Sequence, residues 1–206
     1  LAQPGASRDG GASRATWPSP HPGRSEDEVP IGHITNGVHV PTWLAPQMRN
    51  LYDRHLDSEW SLRNGEPDVW AGIENVDDGE LWETHQVLKS RMIRFVRQRA
   101  VAQAEKRGEP KEVVDRFRRV LSPDALTIGF ARRFATYKRA NLIFRALEQL
   151  ASLIHDPQWP IQFVFAGKAH PRDIPGKTVL KQIAELMRDP VFAGKVIFVE
   201  DYDINV

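Results

Sequence analysis

The chain has 206 residues, enough to bury a sizeable core and to form one or two domains. Its 28 Lys and Arg against 27 Asp and Glu leave a net charge of +1, so no global basic field is present to hold nucleic acid. With no cysteine, disulfides and thiolate metal sites are excluded and a reducing compartment is indicated.

No apolar run approaches the roughly 20 residues of a membrane-spanning helix, and the first residues lack a signal-peptide core. The expectation is a soluble, cytoplasmic protein with no membrane or metal partner. The sequence starts at Leu1 rather than Met and stops at Val206 just past a predicted strand, so it reads as a piece of something longer.

Residues 1–29 are dense in Gly, Pro, Ser, Ala and Arg and are predicted to be disordered, because they offer too little apolar surface to offset ordering entropy. Trp17 is their one large aromatic and reads as a surface side chain. In residues 30–44, Ile31 and Ile34 precede Asn36-Gly37, and Val38 and Val40 follow it. That spacing predicts two short extended pieces around a turn. Asn36 is read either as a plain turn residue tolerant of positive φ or as an amide aimed at a ligand; spacing alone favours the first. His33 and His39 lie six residues apart, which is no metal-ligand spacing on a regular element, and are read as structural.

An amphipathic helix is expected from Pro46 to Leu56, with proline tolerated in its first turn. Trp60 and Trp70 then anchor a mixed stretch over 57–76. Asp77 and Glu80 form a capping-box pattern at the head of a long helix. The stripe Leu81, His85, Leu88, Met92, Phe95 predicts its buried face, with Arg94 and Arg97 on the far side and Lys89 and Arg91 on the flanks. Gly108 and Pro110 end this helix, and a shorter one is predicted over 111–121, before Pro123.

The last third alternates: strand 126–131, helix 137–154, strand 161–166, helix 177–187, strand 196–199. The near-continuous apolar strands predict a parallel sheet covered on both faces, a βαβαβ half of a Rossmann-like domain. Gly129 is expected to admit a neighbouring backbone. Strand one hands over to Arg132, Arg133, Lys138 and Arg139, four cations within eight residues. Strand two hands over to Gly167-Lys168-Ala169-His170, and strand three to Glu200-Asp201-Tyr202. Parallel strands place these three exits on one crest, where ligands bind in open sheets. Cations at the start of a helix suit an anion, Gly167 would admit it, and Arg133 offers a fork for two oxygens. Neither a P-loop nor a dinucleotide fingerprint is present, so side chains would do most of the gripping.

Four stretches together carry a resemblance: residues 32–44 (Gly-His-Ile-Thr-Asn-Gly-Val-His-Val-Pro-Thr-Trp-Leu), 128–139 (Ile-Gly-Phe-Ala-Arg-Arg-Phe-Ala-Thr-Tyr-Lys-Arg), 165–171 (Phe-Ala-Gly-Lys-Ala-His-Pro) and 196–203 (Val-Ile-Phe-Val-Glu-Asp-Tyr-Asp). From about residue 25 onward the sequence resembles the α-glucan phosphorylases of glycogen, starch and maltodextrin, especially the bacterial branch. The resemblance implies an α/β GT-B fold with two Rossmann-like domains. It implies a hexosyltransferase that cleaves α-1,4-glucan with inorganic phosphate to release glucose 1-phosphate. The implied cofactor is pyridoxal 5'-phosphate, acting through its phosphate group, and homodimers are a family analogy.

By position, Arg133 and Lys138 match residues that bind substrate phosphate, Lys138 also lying near the cofactor phosphate. Arg132 stands where the family places a cation beside that phosphate, Tyr202 matches a tyrosine lining the cofactor pocket, and Asn36 matches an amide on the glucosyl unit. Gly167, Lys168 and His170 match a family motif without an assigned chemistry. On this reading residues 30–124 close an N-terminal domain and 125–206 open the C-terminal one. The family's Schiff-base lysine would lie beyond Tyr202, its glucose-site loop before residue 1, and residues 1–24 match nothing in it, so the piece alone is expected to be inactive. The alternatives are a nucleotide-sugar GT-B transferase, such as a glycogen synthase, and a non-catalytic anion- or glucan-binding remnant.

Overall fold

A computed structural model describes residues 37–202 together with Ser25, Glu28 and Ile34. Apart from Ser25 and Glu28, the predicted disordered stretch, together with Trp17, Ile31, His33 and Asn36, lies outside the described residues. The chain divides into two compact units between Thr84 and His85.

In the first unit, the short helix α1 (Val40–Trp43) begins where an extended piece was expected. Pro41 falls in its first turn, where a fixed φ and a missing N–H suit a helix start. His39 precedes the helix, its Nδ1 2.7 Å from Thr42 Oγ1. Helix α2 (Pro46–His55) follows as predicted and buries Leu51. A 3-10 segment (Pro67–Asn75) packs back on it. The approach is close: a Cβ on Gly72 would lie 2.1 Å from the His55 carbonyl oxygen.

The two tryptophans anchor this unit. Trp60 is only 2% exposed, and Tyr52, Trp60 and Trp70 meet edge to face at 5.4–5.8 Å. Each indole N–H has a partner, Asp53 Oδ1 for Trp60 and the Asn64 carbonyl for Trp70. Helix α3 (Asp78–Lys106) starts at Asp77, whose Oδ1 accepts from Gly79 N and Glu80 N. The capping box is not completed by Glu80. Its carboxylate instead meets Arg54 and His55 of α2.

In the second unit, the face of α3 differs from the prediction. Lys89, Ile93, Val96 and Ala104 are buried, while His85 and Phe95 are exposed. The doublets Met92-Ile93 and Phe95-Val96 offer two apolar stripes one residue apart. The β-branched one packs on the aliphatic face of the sheet, at Ala166, Ile197 and Val199. The helix ends at Lys106 with Gly108 at φ 69. Gly108 N bonds to the Glu105 carbonyl and Glu109 N to that of Ala104, the paired bonds of a Schellman stop.

Helix α4 (Lys111–Phe117) stops four residues before the predicted end. Leu121 turns back at φ 63 and its N–H donates to the Gly194 carbonyl. This buries Val120 and Leu121, and Arg97 donates to both of their carbonyls at 2.8 Å. Arg97 is therefore a structural clamp, not part of a solvated face.

The sheet is parallel, in the order β1-β2-β3, with β1 (Leu126–Ala131), β2 (Ile161–Ala166) and β3 (Val196–Val199) as predicted. Its residues alternate between two apolar layers. Phe163, Phe165 and Val196 join Leu150, Ile154, Ile183 and Leu186 on one side. Ala166, Ile197 and Val199 meet α3 on the other. Gln162 is fully buried, yet Ser122 N, the Ser122 carbonyl and Thr127 Oγ1 satisfy its amide.

Strand β1 is not the buried strand expected. It pairs only with β2 among the described residues, leaving Leu126 62% and Ile128 41% exposed. Gly129 meets nothing within 4 Å of a Cβ position.

The predicted helix 137–154 is broken. A 3-10 turn (Thr136–Lys138) ends at Arg139 with φ 56, a second runs over Leu142–Ala146, and regular helix α5 covers only Leu147–Ile154. An α-helix cannot run through a left-handed residue, and the detour tucks Ala140 into the core. Helix α6 (Ile174–Arg188) starts three residues early because Asp173 caps it and Pro175 fills its first turn. Among the described residues no helix is long and apolar enough to cross a membrane.

Candidate functional site

The register pairs Ala131 with Ala166 and Ala166 with Val199, so Arg132, Gly167 and Glu200 leave the sheet at one level. The crest expected from topology is present. How each exit is held differs from the sequence reading.

Beyond β1 the backbone keeps pairing with β2: Arg132 N donates to the Ala166 carbonyl at 3.2 Å and Phe134 N to that of Lys168 at 3.0 Å. Gly167 has φ 141, and a Cβ there would lie 2.1 Å from the Arg132 carbonyl oxygen. Its freedom accommodates that carbonyl; the space is already filled by protein, not left for an anion. Phe134 is 1% exposed and sits 5.4 Å from the Phe130 ring and 6.0 Å from that of Phe198. A polar-looking run thus has one buried aromatic at its centre.

Around that anchor the cations face outward. Arg132, Arg133 and Arg139 are exposed, and Lys138 is half-buried with Nζ 4.7 Å from the Tyr137 ring centroid. That is a cation–π contact, which keeps the charge available. Among the described residues none of the four is ion-paired, whereas Arg54, Arg63, Arg107 and Arg118 are. No regular α-helix begins at this exit, so a helix dipole does not contribute here. Four cations in eight residues, with no ion-pair partner among the described residues, repel one another, and an anion relieves that repulsion.

At the β2 exit Lys168 is exposed, and His170 Nδ1 accepts from Arg172 N at 3.1 Å. At the β3 exit the acids are already engaged. Arg99 donates to the Glu200 carbonyl at 3.3 Å and to the Asp201 carbonyl at 3.1 Å. Gln103 Nε2 reaches Asp201 Oδ2 at 3.4 Å, and Arg107 pairs with the Glu200 carboxylate. Arg99, Gln103 and Arg107 fall four residues apart, on one face of α3. That spacing was legible; its target was not. Asp201 is left-handed at φ 53, and Tyr202 is half-buried against the layer of Ile93, Val96 and Val199.

The site residues therefore divide. Arg132 and Arg133 share one strand exit, and Lys138 ends the turn that follows. Tyr202 leaves the strand two places away, roughly 10 Å across the sheet. Asn36 lies outside the described residues. No cluster of three or more metal-ligating side chains occurs among the described residues.

No family model matches the chain. It is 40% identical to a glycogen phosphorylase of Aquifex aeolicus over 178 residues, 86% of this chain and 26% of that relative. It is also 40% identical to a maltodextrin phosphorylase of Thermococcus litoralis over 181 residues, 87% of this chain and 21% of the relative. A glycogen phosphorylase of Mycobacterium bovis matches at 40% over 197 residues, 96% of this chain and 22% of the relative. The chain spans about a quarter of the length of the curated relatives it matches. By sequence, the stretch present here is similar to about a quarter of the length of named glycogen and maltodextrin phosphorylases.

Proposed function

We propose that this chain is the part of an α-glucan phosphorylase that receives inorganic phosphate, in an enzyme that cleaves α-1,4-glucan to glucose 1-phosphate. The observation that carries the reading is the run of cations leaving β1, without ion-pair partners among the described residues, within a stretch 40% identical to named phosphorylases. Arg133 holds two phosphate oxygens through its planar fork, and Lys138 adds a point charge. Both are catalytic in the sense that they touch the reacting phosphate and stabilise charge as it moves between oxygens. Asn36 orients the glucosyl unit.

The residues present fit pyridoxal 5'-phosphate at its phosphate end. Arg132 and Lys138 are cations without a carboxylate partner among the described residues, and Tyr202 offers a half-buried aromatic wall. When bound, the cofactor supplies a phosphate group that exchanges a proton with the substrate phosphate. The chain's own residues bring two anions close and hold them against their repulsion, which favours a shared proton.

We further propose a GT-B architecture in which residues 125–206 open the second Rossmann-like domain and 30–124 belong to the end of the first. The three-stranded parallel sheet with both faces lined supports this. A homodimer and a cytoplasmic location complete the reading; the lack of cysteine suits the latter. The test is a chimera in which this sequence replaces the matching stretch of the Aquifex aeolicus enzyme. It is expected to release glucose 1-phosphate from α-1,4-glucan only when phosphate is supplied. A folded, pyridoxal-loaded chimera without that activity would refute the proposal.

A further inference from the structure

We infer that Gly176, acting with Phe134, is a positioning residue for Arg133; the inference rests on the phosphate reading above. The Arg133 side chain is exposed and has no ion-pair partner among the described residues. Its place is therefore set by its backbone, and that backbone is gripped from two sides. The β2 exit holds it through Arg132 N to Ala166 O and Phe134 N to Lys168 O. Gly167 and Gly176 let two other segments touch it: a Cβ on Gly167 would lie 2.1 Å from the Arg132 carbonyl oxygen, and one on Gly176 would lie 2.3 Å from that of Phe134.

The two glycines are not equivalent. Gly167 has a positive φ and is needed for its backbone conformation as well as for space. Gly176 lies in the first turn of α6, where any residue adopts the backbone and glycine is a poor helix former. What it supplies is room. A backbone carbonyl cannot swing aside as a flexible side chain can, so a methyl group there must push residues 132–134 away from α6. Asp173 Oδ1 accepts from Gly176 N at 2.9 Å, and the same methyl would lie 2.9 Å from Asp173 Oδ2, so it presses on the flexible cap side chain as well as on the Phe134 carbonyl, of which only the carbonyl is backbone. On the other side the buried Phe134 ring stops the segment from sliding. Without this seat, Arg133 would hang from an edge strand by two hydrogen bonds.

The experiment is a titration of the isotopically labelled 206-residue chain with inorganic phosphate, followed through the amide signals of residues 132–138. The wild-type chain should respond saturably, and Arg133→Ala should abolish the response. Gly176→Ala is expected to weaken binding about tenfold or more, while the amides of Phe163 and Phe165 keep their protection from exchange. Phe134→Leu, a gentler change, should weaken it several-fold. Gly129→Ala, at a position with nothing within 4 Å, should bind as wild type. In the double variant Gly176→Ala/Arg133→Ala, the first change should add nothing to the second, because it acts through Arg133.

Wild-type affinity in Gly176→Ala, or an additive double variant, would overturn the positioning role while leaving the phosphate reading intact. If Gly176→Ala loses the β2 protection, Phe134→Leu decides, and unchanged affinity there overturns the role. No response in the wild-type chain, or one indifferent to Arg133, would overturn the phosphate reading and the positioning role with it.

Discussion

Single residues in this chain do work that their type does not announce. Glu80 looks like the second half of a capping box, yet it serves as the tie between α2 and the head of α3. Its hydrogen bond to Arg54, and then that to His55, hold its carboxyl below the ordinary glutamate range. A lowered folded-state pKa stabilises the fold above the unfolded-state value, and that contribution fades as pH falls through the folded one. Glu80→Gln should therefore lower the melting temperature near neutrality, and its difference from the parent should shrink as pH drops from about 6 to about 3. A difference that stays constant with pH would rule this out. Phe134 and Gly176 teach the same lesson. Arg132, Arg133 and Lys138 stood out in the sequence because charge is visible there. Gly176, whose contact with the Phe134 carbonyl positions Arg133, did not, because that contact joins segments some 40 residues apart.

At the scale of elements, the strands were the most legible part. Continuous apolar runs bounded by Pro and Gly have few other homes, and all three occur at the expected residues. Helices were legible where a cap or a proline was read at the start, as at Asp77 and Pro46; at Asp173 and Pro175 the same signal went unread and the start was placed three residues late. They failed where periodicity alone was available. On α3 two apolar stripes competed, and Ile93→Ala distinguishes them. It should cost about 2–5 kcal/mol in denaturant unfolding, whereas Phe95→Ala, 39% exposed, should cost under about 1 kcal/mol. The reverse order would restore the predicted stripe. After β1 the left-handed Arg139 broke a helix that its pattern supported. The β3 exit is an element-scale device as well. Arg99→Ala removes two charged hydrogen bonds to carbonyls and should cost roughly 1–3 kcal/mol, with faster amide exchange at Tyr202. Unchanged exchange there would show that Gln103, Arg107 and the apolar layer suffice.

Across the whole molecule, near-neutral net charge and a local excess of cations go together. The balance of +1 hides a β1 exit whose four cations have no ion-pair partner among the described residues, while Glu80, Asp68 and Glu200 are paired. That exit lies at the end of β1, which pairs only with β2 among the described residues, in a parallel sheet with an apolar layer on each face. The direct measurement is the dependence of the chimeric phosphorylase on phosphate and on glucan, with and without Arg133→Ala. The account predicts that the loss, about 100-fold or more in kcat/KM, falls on phosphate while glucan affinity stays near that of the parent chimera. An Arg133→Ala chimera that keeps its parent's phosphate dependence would contradict it.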